Sequence, residues 1–170
     1  MDVDALTIGG SGIDIFVGIN GDAEDRSQRV GLELNEVEFG LALLSEKPAA
    51  PAPAPAPGPA PAPATLRKWT ALQARAGSVE VVGIDGLTLS VEELLVNVNQ
   101  ASVGAPVIDF KSDTLDVKTS SAGDTITLDM DGARGALIEA AGYLTLNVFG
   151  FVQVEGNLAF TKSTESVTLA

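Results

Sequence analysis

The chain contains no cysteine and no histidine among its 170 residues. These absences exclude disulfides, zinc sites built from cysteine or histidine, and catalytic pairs of a nucleophile with histidine. The sequence also lacks a phosphate-binding loop, a nucleophile elbow and an aspartic-protease loop. We therefore expect a protein that is not an enzyme, and Ca²⁺ is the only cofactor that any motif suggests.

Aromatic residues and basic residues are both scarce. Only 5% of the chain is aromatic, so alanine, valine, leucine and isoleucine must supply most of a core. Ten Lys and Arg residues stand against 23 Asp and Glu residues, which gives a net charge of −13. Such a surface repels nucleic acid and anionic membrane leaflets. No apolar run approaches the ~20 residues of a membrane-spanning helix, so we expect neither nucleic acid binding nor membrane insertion.

Proline is concentrated in one segment, because eight of the nine prolines lie between Pro48 and Pro63. Proline lacks a backbone N–H and restricts the residue before it, so alternating Pro-Ala favours an extended polyproline conformation over helix or sheet. The residues before the segment are too few to hold a core of their own. The sequence thus predicts a single domain over residues 1–170, with residues 47–65 as an inserted loop.

Most of the remaining chain alternates apolar and polar residues, which is typical of β-strands. The clearest case is Tyr143–Phe160, which predicts a long strand, bent at its glycines, with Val148 and Val154 in the core. Elsewhere the alternation changes phase at Asn35–Glu36 and at Glu92–Glu93. Each change predicts a β-bulge, since one extra residue returns the apolar side chains to the same face.

Two segments decide the count of elements. Thr65–Ala76 fits either a short helix or a strand, and the strand-like residues that follow it favour the strand. Asp131–Gly132 predicts a two-residue hairpin turn. In total we expect about nine to eleven strands with little or no helix. The predicted fold is all-β, an elongated solenoid-like or sandwich-like stack.

Several acidic residues suggest a calcium site. Residues 9–17 match the nonapeptide GGxGxDxUx of calcium-binding β-rolls. A single copy cannot form a roll, because each ion lies between consecutive turns, so a strand after a glycine-rich turn is the simpler interpretation. Turn chemistry likewise accounts for the other acidic clusters. If calcium is bound, the candidate ligands are Asp14, Asp22, Glu24, Asp25, Asp129 and Asp131.

Three stretches resemble a known kind of module. VGLELNEVEFGLALLSEK, VGIDGLTLSVEELLVNVNQAS and AAGYLTLNVFGFVQVEGNLAFTKS are similar to a β-rich module that is repeated in tandem in giant bacterial surface or secreted proteins, of adhesin-like and RTX-like type. The resemblance covers most of residues 30–165, and the Pro-Ala insert departs from it. It implies an extracellular or cell-surface location, with neighbouring copies of the module as partners and a surface ligand as a further partner.

The two termini favour association between copies. Both Leu6–Ile8 and Glu165–Leu169 are strand-like and carry none of the residues that usually blunt a free strand edge. We therefore expect a structural or adhesive building block that stacks or self-associates end to end. The alternative is a β module that binds Ca²⁺ or an apolar ligand.

Overall fold

The computed structural model describes residues 2–22, 25–48, 65–102 and 104–164. This part of the chain is all-β, with eight strands and two single-turn 3₁₀ helices, at Arg26–Gln28 and Gly132–Arg134. Most of the Pro-Ala segment and the predicted terminal strand Glu165–Leu169 lie outside the described residues. The expected fold class and the scarcity of helix are confirmed.

Six long strands form one open antiparallel sheet, in the order β1-β2-β3-β4-β7-β8. The remaining two strands, β5 and β6, pair as a separate short hairpin. The bounds of the strands are β1 Val3–Ile19, β2 Val30–Glu46, β3 Lys68–Val82, β4 Leu87–Ala101, β5 Leu115–Lys118, β6 Thr125–Leu128, β7 Leu137–Val148 and β8 Val152–Ser163.

This arrangement corrects the predicted architecture. The strands lie side by side in a sheet that does not close, so the described chain is not a solenoid. It contains eight strands rather than nine to eleven, because the sheet strands run for 12 to 17 residues each. The ambiguous segment Thr65–Ala76 enters β3 at Lys68, which confirms the strand interpretation.

The stretch predicted as one long strand is a hairpin. Val148 and Val152 pair across a tight turn in which Phe149 and Gly150 have φ angles of 50° and 72°. The backbone N–H of Phe151 donates to the Val148 carbonyl at 2.9 Å, which closes the turn. Glycine has no Cβ to oppose a positive φ, so Gly150 suits this position, whereas a phenylalanine with positive φ is unusual.

The predicted burial of this hairpin is wrong for β8. Val154 pairs with Leu146, as the even-numbered phase requires, but its side chain is 47% exposed. Val148 in β7 is half-buried. The alternation therefore identified the correct face of each strand, although that face is not buried in a core.

The predicted hairpin turn at Asp131–Gly132 is also wrong. Asp131 has an extended backbone, with φ −72°, and its side chain accepts a hydrogen bond from the Ala133 N–H at 2.9 Å. Asp131 thereby caps the 3₁₀ turn Gly132–Arg134. This turn connects β6 in the small hairpin to β7 in the large sheet. The prediction failed because an aspartate side chain can cap a helical turn as readily as it can start a hairpin.

Both predicted changes of phase are present. Glu36 and Glu93 have φ angles of 54° and 51°. The register of β4 against β7 shifts between Glu92 and Leu95, so two residues of β4 lie opposite Gly142 alone. The register of β1 against β2 shifts at the same level of the sheet. We call this line across the sheet the bend line, and its residues are Gly12, Glu36, Gly77, Glu93 and Gly142.

The small hairpin covers one face of the sheet and forms the core. Val117, Ile126 and Leu128 pack against Ala42 and Ala71, together with Phe110 and Met130. The small side chains in the sheet let the hairpin approach closely, and a Cβ on Gly40 would collide with Ile126. The connecting chain is fixed to the same face, because the Trp69 indole N–H donates to the Pro106 carbonyl and Asn99 donates to the Ile108 carbonyl, both at 2.8 Å.

The two ends of the Pro-Ala segment are held together by the sheet. Ser45 pairs with Lys68 in the β2–β3 ladder. Next to this pair, the Arg67 guanidinium donates to both carboxylate oxygens of Glu46, at 2.9 and 2.8 Å. These hydrogen bonds lower the pKa of Glu46 to about 2. The loop therefore begins and ends at a fixed ion pair.

Candidate functional site

The most unusual feature of the molecule is the face of the large sheet opposite the small hairpin. Residues paired across antiparallel strands share a face, so the register assigns every side chain to one side. We call this side the apolar face. It consists of Leu6, Ile8, Ile15 and Val17 in β1; Leu32, Leu34, Phe39, Leu41 and Leu43 in β2; Leu72, Ala74, Val79 and Val81 in β3; Leu87, Leu89, Val91, Val96 and Val98 in β4; Ile138, Ala140, Leu144, Leu146 and Val148 in β7; and Val152, Val154, Leu158 and Phe160 in β8.

The bend line keeps this face continuous along the strands. On one side of the line, Val96 and Val98 of β4 lie on the apolar face, and on the other side Val91 and Leu89 do so. Without the extra residue at Glu93, one half of β4 would direct its apolar side chains to the opposite face. The left-handed residues in β2 and β4 are therefore the local cause of an uninterrupted apolar surface.

Large parts of the apolar face are exposed. In β8, Leu158 is 58% and Phe160 is 56% exposed, and in β1 Leu6 is 57% and Val17 is 64% exposed. The middle strands are half-buried by their neighbours within the sheet. The hairpin of β5 and β6 lies on the other side, so no second layer covers the apolar face in the described part of the chain.

Charged residues avoid the apolar face except at one end. The charged residues whose register places them on the apolar face are Asp4, Lys68 and Lys162, all at the end where β1 begins and β8 finishes.

Beyond the bend line, on the side that holds Glu33 and Glu80, the opposite face is acidic and polar. It carries Glu33, Glu80, Glu92 and Glu155, along with Ser78, Ser90, Tyr143 and Thr145.

Hydrogen bonds order the side chains on the polar face. The Tyr143 hydroxyl donates to Glu155 at 2.8 Å. This hydrogen bond, together with partial desolvation, raises the pKa of Tyr143 above its ordinary value. Arg29 forms an ion pair with the buried carboxylate of Glu33 at 3.1 Å. Beyond the bend line the two faces thus differ in chemistry: one carries hydrocarbon side chains and the other carries hydrogen-bonded polar groups.

The β7–β8 turn extends the apolar surface beyond the sheet. Phe151 is 92% exposed and Phe149 is 64% exposed. The Phe149 ring lies against Gly86 in the neighbouring turn, and the Phe149 N–H donates to the Gly86 carbonyl at 2.5 Å. This end of the sheet therefore presents two phenylalanines to solvent.

The described candidate calcium ligands do not form a group of three or more that could hold a metal ion. Asp14 lies in the middle of β1, where its carboxylate accepts the Glu36 N–H at 3.0 Å and supports the bend line. Asp22 and Asp25 lie in the β1–β2 loop, and Asp25 accepts the Ser27 N–H at 2.9 Å. Glu24 lies outside the described residues.

The second acidic pair, Asp129 and Asp131, follows β6. Asp131 caps its 3₁₀ turn and forms an ion pair with Lys111 at 2.8 Å, and the hydrogen bond from Lys111 lowers the pKa of Asp131. Within the described ranges, no group of three or more acidic residues has an arrangement that could hold a metal ion.

No protein-family model, curated protein or solved structure matches the chain. In the described part of the structure, no helix has the length and apolar character needed to cross a membrane.

The sequence places Val154 in the core and suggests an apolar-binding module only as an alternative, although a further signal for the exposed face is present. The segments that became β5 and β6 each form only four residues of strand. Such a hairpin cannot cover both faces of six strands of 12 to 17 residues. The sequence contains too few further apolar segments to form a second layer on both faces of a six-stranded sheet. This comparison would have indicated that one face is exposed.

Proposed function

We propose that the chain is a non-catalytic structural or adhesive module of a large extracellular bacterial protein, in which copies join edge to edge. The resemblance described above supports the location. The observation that carries the proposal is the pair of long edge strands, β1 with 17 residues and β8 with 12 residues, whose outer backbone groups pair with no other described strand. An open edge of this kind is a template for another strand.

The strand directions suit a continuing array. Six strands that alternate in direction place β1 and β8 antiparallel to each other. A copy added at the β8 edge in the same orientation therefore presents its β1 antiparallel to β8. Its apolar face then lies on the same side as the first, so the sheet and its face both continue across the junction.

Two of the usual protections of a free edge are absent from β1 and β8. Neither β1 nor β8 contains proline, and both exceed the short length that natural edge strands commonly have. The net charge of −13 opposes the approach of copies. Because salt screens this repulsion, association through the edges should strengthen as ionic strength rises.

Light scattering across a salt series tests the proposal, with two proline variants near the end of β8. Successive residues of a strand direct their N–H groups to opposite sides, so one of Thr161→Pro and Lys162→Pro removes a ladder bond to β7 and the other removes an outward N–H. The variant that keeps the wild-type melting temperature should require at least a tenfold higher concentration to associate at high salt. A monodisperse wild-type monomer at high concentration and high salt would contradict the proposal.

The second candidate function is that of a module that binds an apolar ligand. The exposed apolar face favours it, because contiguous apolar patches on soluble proteins commonly mark interaction sites. Binding of a fluorescent fatty acid, with displacement by an unlabelled one, tests this candidate. The Ca²⁺-binding version of this alternative has no support from the arrangement of the described carboxylates.

A further inference from the structure

We propose that the apolar face packs against the apolar face of a second copy of the chain, so that two sheets form a two-layer sandwich. This contact is distinct from edge-to-edge joining, and it does not depend on the proposed function. Sheets pack face to face about 10 Å apart with interdigitating side chains. Each copy then supplies the layer that the other lacks.

The area of the face is sufficient for a stable dimer. Six strands spaced at about 4.8 Å, with a mean of roughly 15 residues at about 3.3 Å rise, give a surface of about 1,400 Å². A standard protein–protein interface buries about 800 Å² on each partner. About two thirds of the apolar face is therefore enough to reach that size.

The charge distribution favours this orientation of the two copies. Charged residues of the apolar face occur only at one end, so no carboxylate or ammonium group in its middle would be buried without a partner. Face-to-face packing directs the acidic residues, such as Glu80 and Glu92, outward on both copies. Contact through the polar faces would instead place like charges together.

The shape of the face favours a flat partner over a small ligand. In the middle of the face, a recess lined by Leu94, Gly142 and Phe160, among others, holds about 120 Å³. A larger recess of about 460 Å³, lined by Leu6, Leu43 and Lys68 among others, lies at the charged end and is open to solvent. Sites for small molecules are typically enclosed clefts of about 300–1,000 Å³. A broad surface with a shallow recess is better matched by another sheet, and a second copy provides one of the same size and chemistry.

Sedimentation velocity of the full-length chain over a concentration series tests the inference. The matched variants are Leu158→Asp, on the apolar face, and Asn157→Asp, which adds the same charge one residue away on the opposite face. Because Leu158 is 58% exposed, its substitution should leave the single chain folded, and thermal melts check this. Leu43 in β2 is 39% exposed on the same face, so Leu43→Asp provides a second test position.

We expect the wild type to form a dimer that does not grow further at low salt. Leu158→Asp and Leu43→Asp should raise the dissociation constant at least tenfold, and Asn157→Asp should change it less than twofold. The dimer should persist in the folded β8 proline variant, which separates this contact from edge joining. A wild-type monomer at the highest concentration, or equal effects of Leu158→Asp and Asn157→Asp, would overturn the inference.

A lipid occupant would give a different result. Flotation with neutral phosphatidylcholine vesicles should leave the wild-type chain in the soluble fraction as a dimer. Recovery of the chain as a monomer with the vesicles would overturn the inference in favour of an apolar ligand.

Discussion

A Cβ at Gly142 would lie only 2.6 Å from Cγ1 of Val91 on the neighbouring strand. This close approach arises because two residues of β4 bulge opposite the single residue of β7. β4 and β7 pair on both sides of this register shift, and the shift lets both halves of β4 direct their apolar side chains to one face. The space opposite the bulge therefore suits a glycine at this position.

A methyl group at Gly142 should destabilise the sheet. Its Cβ would lie 2.6 Å from Val91 Cγ1 and 3.1 Å from the Glu92 carbonyl oxygen. We expect Gly142→Ala to lower the free energy of unfolding by about 1–3 kcal/mol, the usual cost of overpacking, measured by urea denaturation. The control is Ala159→Val on the exposed edge strand, which should have a small effect because β-branched residues suit strands. Equal stability of Gly142→Ala and wild type would contradict the geometry of the bend line.

The ion pair at the base of the Pro-Ala segment predicts a pH-dependent contribution to stability. Hydrogen bonds from Arg67 lower the pKa of Glu46 from 4.5 to about 2. A lowered pKa in the folded state means that the stabilisation is complete above about pH 4.5 and is lost as the pH falls toward 2. Glu46→Gln should therefore be less stable than wild type at pH 7, and the difference should shrink across this window.

Urea denaturation at a series of pH values measures this difference. Arg67→Gln serves as the partner variant, and the double variant should add little to either single change if both remove the same interaction. A difference between wild type and Glu46→Gln that is the same at pH 2 and at pH 7 would contradict the assignment.

The alternation of apolar residues predicted much of the fold. It located the phase changes at Glu36 and Glu93, because a strand with one buried or apolar face must gain a residue to restore its phase. It did not predict the turn at Phe149–Gly150, since phenylalanine rarely adopts a positive φ and leaves no turn signal in the sequence. It placed a hairpin turn at Asp131, where the side chain instead caps a 3₁₀ turn.

The exposure of the candidate site could not be read from alternation alone. The phase of Val154 and Leu158 shows that they share an apolar face with Leu146. Whether such a face is buried depends on the size of the layer that covers it. In this chain the covering residues, Val117 and Ile126 among them, lie on the other side of the sheet.

Calcium removal should leave the melting temperature unchanged. The described candidate ligands are divided among β1, the β1–β2 loop and the segment after β6. Asp14, Asp25 and Asp131 already accept backbone hydrogen bonds. An ion that binds only the folded state raises stability by about 2.7 kcal/mol at a hundredfold excess over its Kd. We expect thermal melts with a chelator and with millimolar Ca²⁺ to agree. A rise of more than a few degrees with Ca²⁺ would contradict this prediction and favour a metal-binding function.

The absence of native cysteine permits a direct test of whether another copy covers the apolar face. Val98→Cys places a single thiol on the apolar face in β4, and Ser90→Cys places one on the polar face of the same strand, where both residues are half-buried. The measurement is the rate of maleimide labelling at low and at high protein concentration. We predict that labelling of the Val98→Cys variant slows at least tenfold at high concentration, whereas labelling of the Ser90→Cys variant does not change. Equal rates for the Val98→Cys variant at both concentrations would contradict the account.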